Sequence, residues 1–126
     1  MTMRARLAVV VSLCSLLFAP VAIAATADEI QHLLEFVENS GCAFIRNGES
    51  HDAREARSHI EHKYNYVKSR VSSAEDFIKY AATKSSLSGE RYMVECGGVK
   101  ESSRDWLSRE LAAYRKSRNG PAPTSN

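Results

Sequence analysis

The first twenty-four residues carry the pattern of a cleavable export signal, which leaves only about a hundred residues to fold and places them in an oxidising compartment. Arg4 and Arg6 form a positive start, residues 7–18 an apolar stretch, and Ala22-Ile23-Ala24 a small-residue cleavage site, so the mature chain is expected to begin near Ala25. The apolar stretch is too short to anchor the chain, and Leu13 before Cys14 does not suit lipidation. No later stretch could span a bilayer, so no stable membrane insertion is expected after cleavage. A chain this small has one modest core, and a covalent staple matters to it. The residues supply one: with Cys14 removed, Cys42 and Cys96 remain as an even pair, expected as a disulfide.

Charge narrows the partners. The chain has 17 Lys and Arg against 15 Asp and Glu, and without Arg4 and Arg6 the two signs balance. Both signs are mixed along the chain, which leaves no basic footprint for a nucleic acid. The expected partner is therefore an envelope protein or a small ligand, in the periplasm or outside the cell, and no residue pattern calls for a cofactor.

The spacing of apolar residues predicts an α+β fold of about four helices packed with a short two-stranded antiparallel sheet. A helix over residues 28–39 is marked by Ile30, Leu33, Leu34 and Val37, and Ser40-Gly41 stops it. Asp52 with Glu55 signs the start of a long second helix carrying Ala53, Ala56, Ile60, Tyr64, Val67 and Val71. Ser72 with Glu75 opens a third, with Phe77, Ile78, Ala81 and Ala82 on one face, and Ser102 with Asp105 a fourth, with Trp106, Leu107, Leu111 and Tyr114. Between them, residues 42–46 end at Asn47-Gly48 and residues 91–96 end at Gly97-Gly98, the two expected strands. Antiparallel pairing with Cys42 near Cys96 sets Phe44 opposite Val94, Ile45 opposite Met93 and Arg46 opposite Tyr92. One domain is expected over residues 25–116, with a disordered tail over 117–126, and no repeat stands out in the sequence.

The run Phe44-Ile45-Arg46-Asn47-Gly48, followed by His51, Glu55-Ala56, His59 and Lys63, carries a resemblance. Together with residues 73–78, residues 85–89 and Tyr92, it resembles the YfeK-like proteins, a domain-of-unknown-function family of small exported bacterial proteins, over residues 29–114. The resemblance implies a small bacterial envelope domain and supplies no activity, substrate or catalytic residue. The cysteines are not part of it, so the staple is read as particular to this chain.

Two side-chain groups are candidates for chemistry. His51, Glu55, His59 and Lys63 recur every four residues on one face of the second helix, where His51 with Glu55, or Glu55 with His59, could chelate an ion or form an acid-base pair. His51 and His59 stand about 12 Å apart along the axis, so all three cannot share one ion, and there is no H-E-x-x-H. The bland reading of the stripe is a solvated face, and His62 adds only an incidental neighbour to His59.

Arg46, Asn47 and Tyr92 form the second group, an arginine fork beside a helix start that could hold a carboxylate, a sulfate or a peptide terminus. Glu49 and Asp52 oppose that, and the bland alternative pairs Arg46 with a local carboxylate while Asn47-Gly48 merely turns the chain. Ser85, Ser86 and Ser88 lack any nucleophile grammar and are read as a turn, and Trp106 and Tyr114 as core. The candidate binding residues are thus Arg46, Asn47, His51, Glu55, His59 and Tyr92, with no catalytic or metal-ligating residue assigned. A non-catalytic binding or protein-interaction module is expected. The alternative is a small hydrolase or metal-assisted enzyme acting on an envelope substrate, with His51, Glu55 or His59 as base or ligand.

Overall fold

Ile30, Leu33, Leu34 and Val37 are each no more than 4% exposed, so the three- and four-residue steps of the first helix do build its inward face. The computed structural model describes residues 21–120, with side chains from residue 25 onward. Most of the expected export signal and the end of the expected tail lie outside the described residues. In chain order the elements are α1 (Val21–Asn39), β1 (Ala43–Arg46), β2 (Glu49–His51), α2 (Ala53–Val67), α3 (Ala74–Ala81), β3 (Met93–Cys96), β4 (Val99–Ser102) and α4 (Ser103–Asn119). Helix α1 runs back across the expected cleavage point, and α4 continues through three residues assigned to the tail.

Local chemistry explains where the helices begin. Asp52 accepts the Glu55 N–H at 2.8 Å and caps α2, and Ser102 accepts the Asp105 N–H at 3.1 Å and caps α4. The third cap falls one residue later than the sequence suggests. Ser73 accepts the Asp76 N–H, while Ser72 donates its own N–H and hydroxyl to the Asp76 carboxylate. The returning carboxylate is thus Asp76 rather than Glu75, and it reaches the residue before the cap. The long helix also stops short of Val71, tightening at its end into a 3-10 turn over Lys68–Arg70.

The sheet has four antiparallel strands in the order β2-β1-β3-β4, not two. Its central pair has the expected register, with Phe44 opposite Val94 and Ile45 opposite Met93. That ladder ends there. The Tyr92 N–H goes to the Thr83 carbonyl, so Arg46 and Tyr92 are not paired strand partners. Each central strand folds back on a polar edge strand through a two-residue turn, at Asn47-Gly48 (φ 51° and 77°) and at Gly97-Gly98 (φ 57° and 81°). Positive φ at both turn positions is the hairpin geometry that matches strand twist, and it favours Asn and Gly. A hairpin followed by a side-chain-capped helix therefore occurs twice, as β1-β2-α2 and β3-β4-α4, without a repeat visible in the sequence.

Phe44 and Val94 point from the sheet into a core shared with all four helices. Phe44 meets Trp106 of α4 edge-on at 5.5 Å, and Phe36 of α1 meets the same indole at 4.5 Å. A disulfide joins Cys42 to Cys96, with Cα atoms 4.8 Å apart, beside the central strand pair. Arg115 of α4 grips Glu29 of α1 at 2.6 and 3.0 Å and also Glu75 of α3, linking three helices. Among the described residues no helix is long and apolar enough to cross a membrane.

Candidate functional site

Where α2 passes the end of β1, His59 on the helix and His51, which ends β2 rather than standing on the helix, turn half-covered side chains toward the sheet, and Glu55 borders them from an exposed position. They line a cleft of about 560 Å³ together with Arg46, Tyr92 and Ser103. Five of the six candidate binding residues therefore converge. A second cavity of about 440 Å³ shares Arg46, His59 and Tyr92 as its wall and reaches Lys63, Tyr66 and Leu87.

The wall is a chain of hydrogen bonds with one allowed polarity. Arg46 Nη1 bonds to His59 Nδ1, and a guanidinium can only donate, so Nδ1 is the acceptor. His59 is half-buried and flanked by Arg46 and Lys63; burial and those charges push its pKa down to about 4, so near neutral pH it carries one proton, on Nε2. That N–H donates to the Tyr92 hydroxyl at 3.1 Å. Lys63 Nζ donates to the same oxygen at 3.2 Å and to the Lys84 carbonyl at 2.5 Å. Tyr92 oxygen thus accepts twice and its own proton has no acceptor in the network. Burial raises the Tyr92 pKa, which keeps that proton in place, and burial together with Arg46 and Lys84 lowers that of Lys63.

The charges are uncompensated. Among the described residues neither Arg46 nor Lys63 forms an ion pair with a carboxylate, which removes the bland reading of Arg46. The nearby carboxylates face His51 instead: Glu55 accepts from or pairs with Nδ1 at 3.2 Å, and Glu49 stands 3.9 Å from Nε2. Of the two pairings the stripe allowed, His51 with Glu55 forms and Glu55 with His59 does not. His51 Nε2 and the Ser103 hydroxyl are buried without a hydrogen-bond partner, and Ser103 is 1% exposed. A polar group in that state costs about 1–3 kcal/mol unless something satisfies it.

Asn47 departs from its expected role. Its side chain donates to Ser85 Oγ at 3.3 Å and accepts from Ser88 Oγ at 2.5 Å, tying the β1-β2 turn to the turn over residues 85–88. Ser85 in turn accepts the N–H groups of Leu87 and Ser88, so these serines do organise a turn. Two contributors stand outside the six expected binding residues. Lys63 was visible as the next step of the His59 stripe; Ser103 had no signal, because its importance comes only from burial. Among the described residues no three His, Cys, Asp or Glu side chains gather to hold a metal ion.

Comparison with known proteins gives a family and no function. Residues 24–115 match a family described as a family of unknown function, DUF5329. An uncharacterized protein, YfeK, from Salmonella typhimurium is 41% identical over 49 residues, a match that spans 39% of this chain and 41% of that protein. No solved structure matches the chain.

Proposed function

The chain belongs to this family of unknown function, and on that premise we propose that it is an exported, non-catalytic binding module of the bacterial cell envelope. It holds its ligand, a small molecule or the end of a partner protein, in the cleft between α2 and the sheet. The observation that carries the reading is a concave site whose polar groups are left over: Arg46 and Lys63 without carboxylates, and the Ser103 hydroxyl buried without a partner. Export is supported by the pattern of residues 4–24 and by a disulfide, a bond that persists outside the reducing cytoplasm.

The enzyme alternative has weaker support. His51, Glu55 and His59 do line a concave cleft, as it requires, but both His59 ring nitrogens are engaged and neither is open to take a proton.

The test is proximity capture from the native envelope with the wild-type protein and an Arg46→Ala/His51→Ala variant, both verified as folded and disulfide-bonded. A reproducible partner or ligand lost in the variant supports the cleft. Capture indifferent to both residues moves the binding surface elsewhere, and turnover of an envelope substrate by the wild type returns the enzyme alternative.

A further inference from the structure

The binding reading leaves the ligand's chemistry open, and three features of the shared wall define it. The first is donor surplus. Arg46 has N–H groups beyond the one given to His59, Lys63 has a third ammonium proton, and the Tyr92 hydroxyl proton has no acceptor. Every free group along this wall donates, so what completes it must accept.

The second is charge. Arg46 and Lys63 put two positive charges on the wall, with Lys84 close enough to depress Lys63 further. Glu55 and Glu49 border the same cavities from the side of His51, and His62 stands exposed beside them. A singly charged acceptor offsets one of the two cations and meets half the repulsion from Glu49 and Glu55 that a doubly charged one would. The third is apolar surface beside the charge. Among the described residues three large hydrophobic side chains are well exposed, and two of them, Tyr66 at 83% and Leu87 at 97%, border the second cavity. Tyr66 follows Lys63 by three residues and so stands one turn along the same helix face. Leu87 is held opposite by the turn that Asn47 and Ser85 fix.

We propose that the site takes a carboxylate carried on an apolar chain, with the carboxylate at Arg46, Lys63 and the Tyr92 hydroxyl and the apolar part between Tyr66 and Leu87. The inference rests on the binding reading above. A free acylated amino acid and the C-terminus of a peptide share this chemistry.

The experiment is a titration of the disulfide-bonded protein, followed by amide chemical shifts, with N-acetylleucine, its uncharged analogue N-acetylleucinamide, the peptide acetyl-Ala-Ala-Leu with a free C-terminus, and inorganic phosphate. N-acetylleucine is expected to give saturable shifts at Lys63, Tyr66, Leu87 and Tyr92. Losing the charge-assisted bonds should weaken the amide about tenfold or more, the change that 1.4 kcal/mol represents. Lys63→Gln and Arg46→Gln should each weaken the acid by a similar factor while leaving the amide unchanged. Tighter binding of the peptide than of N-acetylleucine assigns the carboxylate to a chain terminus, and the reverse order to a small molecule. Equal binding of acid and amide, tighter binding of phosphate, or no saturable shift with either acid overturns the proposal. Envelope capture that still depends on Arg46 and His51 in that event preserves the binding reading and removes only the carboxylate.

Discussion

His59 is the residue on which the site's polarity depends, since a protonated imidazole would face Arg46 with a donor and break the chain of bonds to Tyr92. With its pKa lowered from 6.5 to about 4, the unfolded chain binds more protons than the folded one between those values. Its contribution to stability is therefore complete above about pH 6.5 and lost as pH falls toward 4. After discounting for partial exposure the loss is about 1–2 kcal/mol. Glu75 and Glu101, held down by bonds to Arg115 and Arg109, start to lose theirs only around pH 4.5 and below. Urea unfolding at pH 7 and pH 5 is thus expected to give a smaller difference in His59→Gln than in the wild type; an equal difference would place the acid sensitivity elsewhere. Ser103 gives a sharper contrast. Removing a buried hydroxyl without a partner should leave stability unchanged or raise it by about 1 kcal/mol. If that hydroxyl serves a ligand, Ser103→Ala also weakens capture. A variant less stable than wild type by more than 1 kcal/mol would make the hydroxyl structural. Ser103 carries no sequence signal of its own, since Ser102, three residues before Asp105, is the one that reads as a cap; Glu55, His59 and Lys63 were legible because helical spacing puts them on one face, and His51, read with them, ends β2 instead.

At the scale of elements, what could be read depended on whether a segment advertises an apolar face. The four helices and the two central strands do, and the register of Phe44 with Val94 follows from placing the cysteines together. The edge strands do not: Glu-Ser-His in β2 and Val-Lys-Glu-Ser in β4 carry almost no alternation, since an edge is kept polar to avoid pairing with other chains. The turn dipeptides were recognisable, but what followed each looked like loop. Asn47 illustrates the same limit, since its φ of 51° was predictable from Asn-Gly and its bonds to Ser85 and Ser88, about forty residues away, were not. Those two roles separate experimentally. Asn47→Gly keeps the positive φ and deletes the side chain, so it should cost about 1 kcal/mol through the lost bonds alone, and Asn47→Ala should cost more because alanine also strains the turn. If Asn47→Gly proves as stable as wild type in chemical denaturation, the tie to the serine turn contributes nothing.

For the whole molecule, the two hairpin-helix units meet along β1 and β3, and three residue pairs are all that ladder provides. Phe44 and Val94 bury into the common core, but the outer pair Ile45 and Met93 is only half-covered, so the seam lacks a second buried layer. The Cys42–Cys96 bond lies beside this seam and closes a loop with a sequence separation of 54. In the chain-entropy account that closure is worth about 4 kcal/mol, against a total of roughly 5–15 kcal/mol for a domain of ordinary stability. Arg115, through Glu29 and Glu75, braces α1, α3 and α4 but reaches neither strand. The site depends on the seam as well, because Arg46 extends from β1 and Tyr92 leads into β3, and only their fixed relation lets His59 bridge them. Replacing both cysteines by serine should therefore lower unfolding stability by about 4 kcal/mol and, in whatever fraction remains folded, leave the amide shifts around His59 and Tyr92 close to wild type, since the helices still hold the seam. A loss below 1 kcal/mol would mean that packing of Phe44 and Phe36 against Trp106 fixes the two units without the staple. A folded variant with scattered shifts at Tyr92 would instead make the disulfide a direct determinant of the cleft.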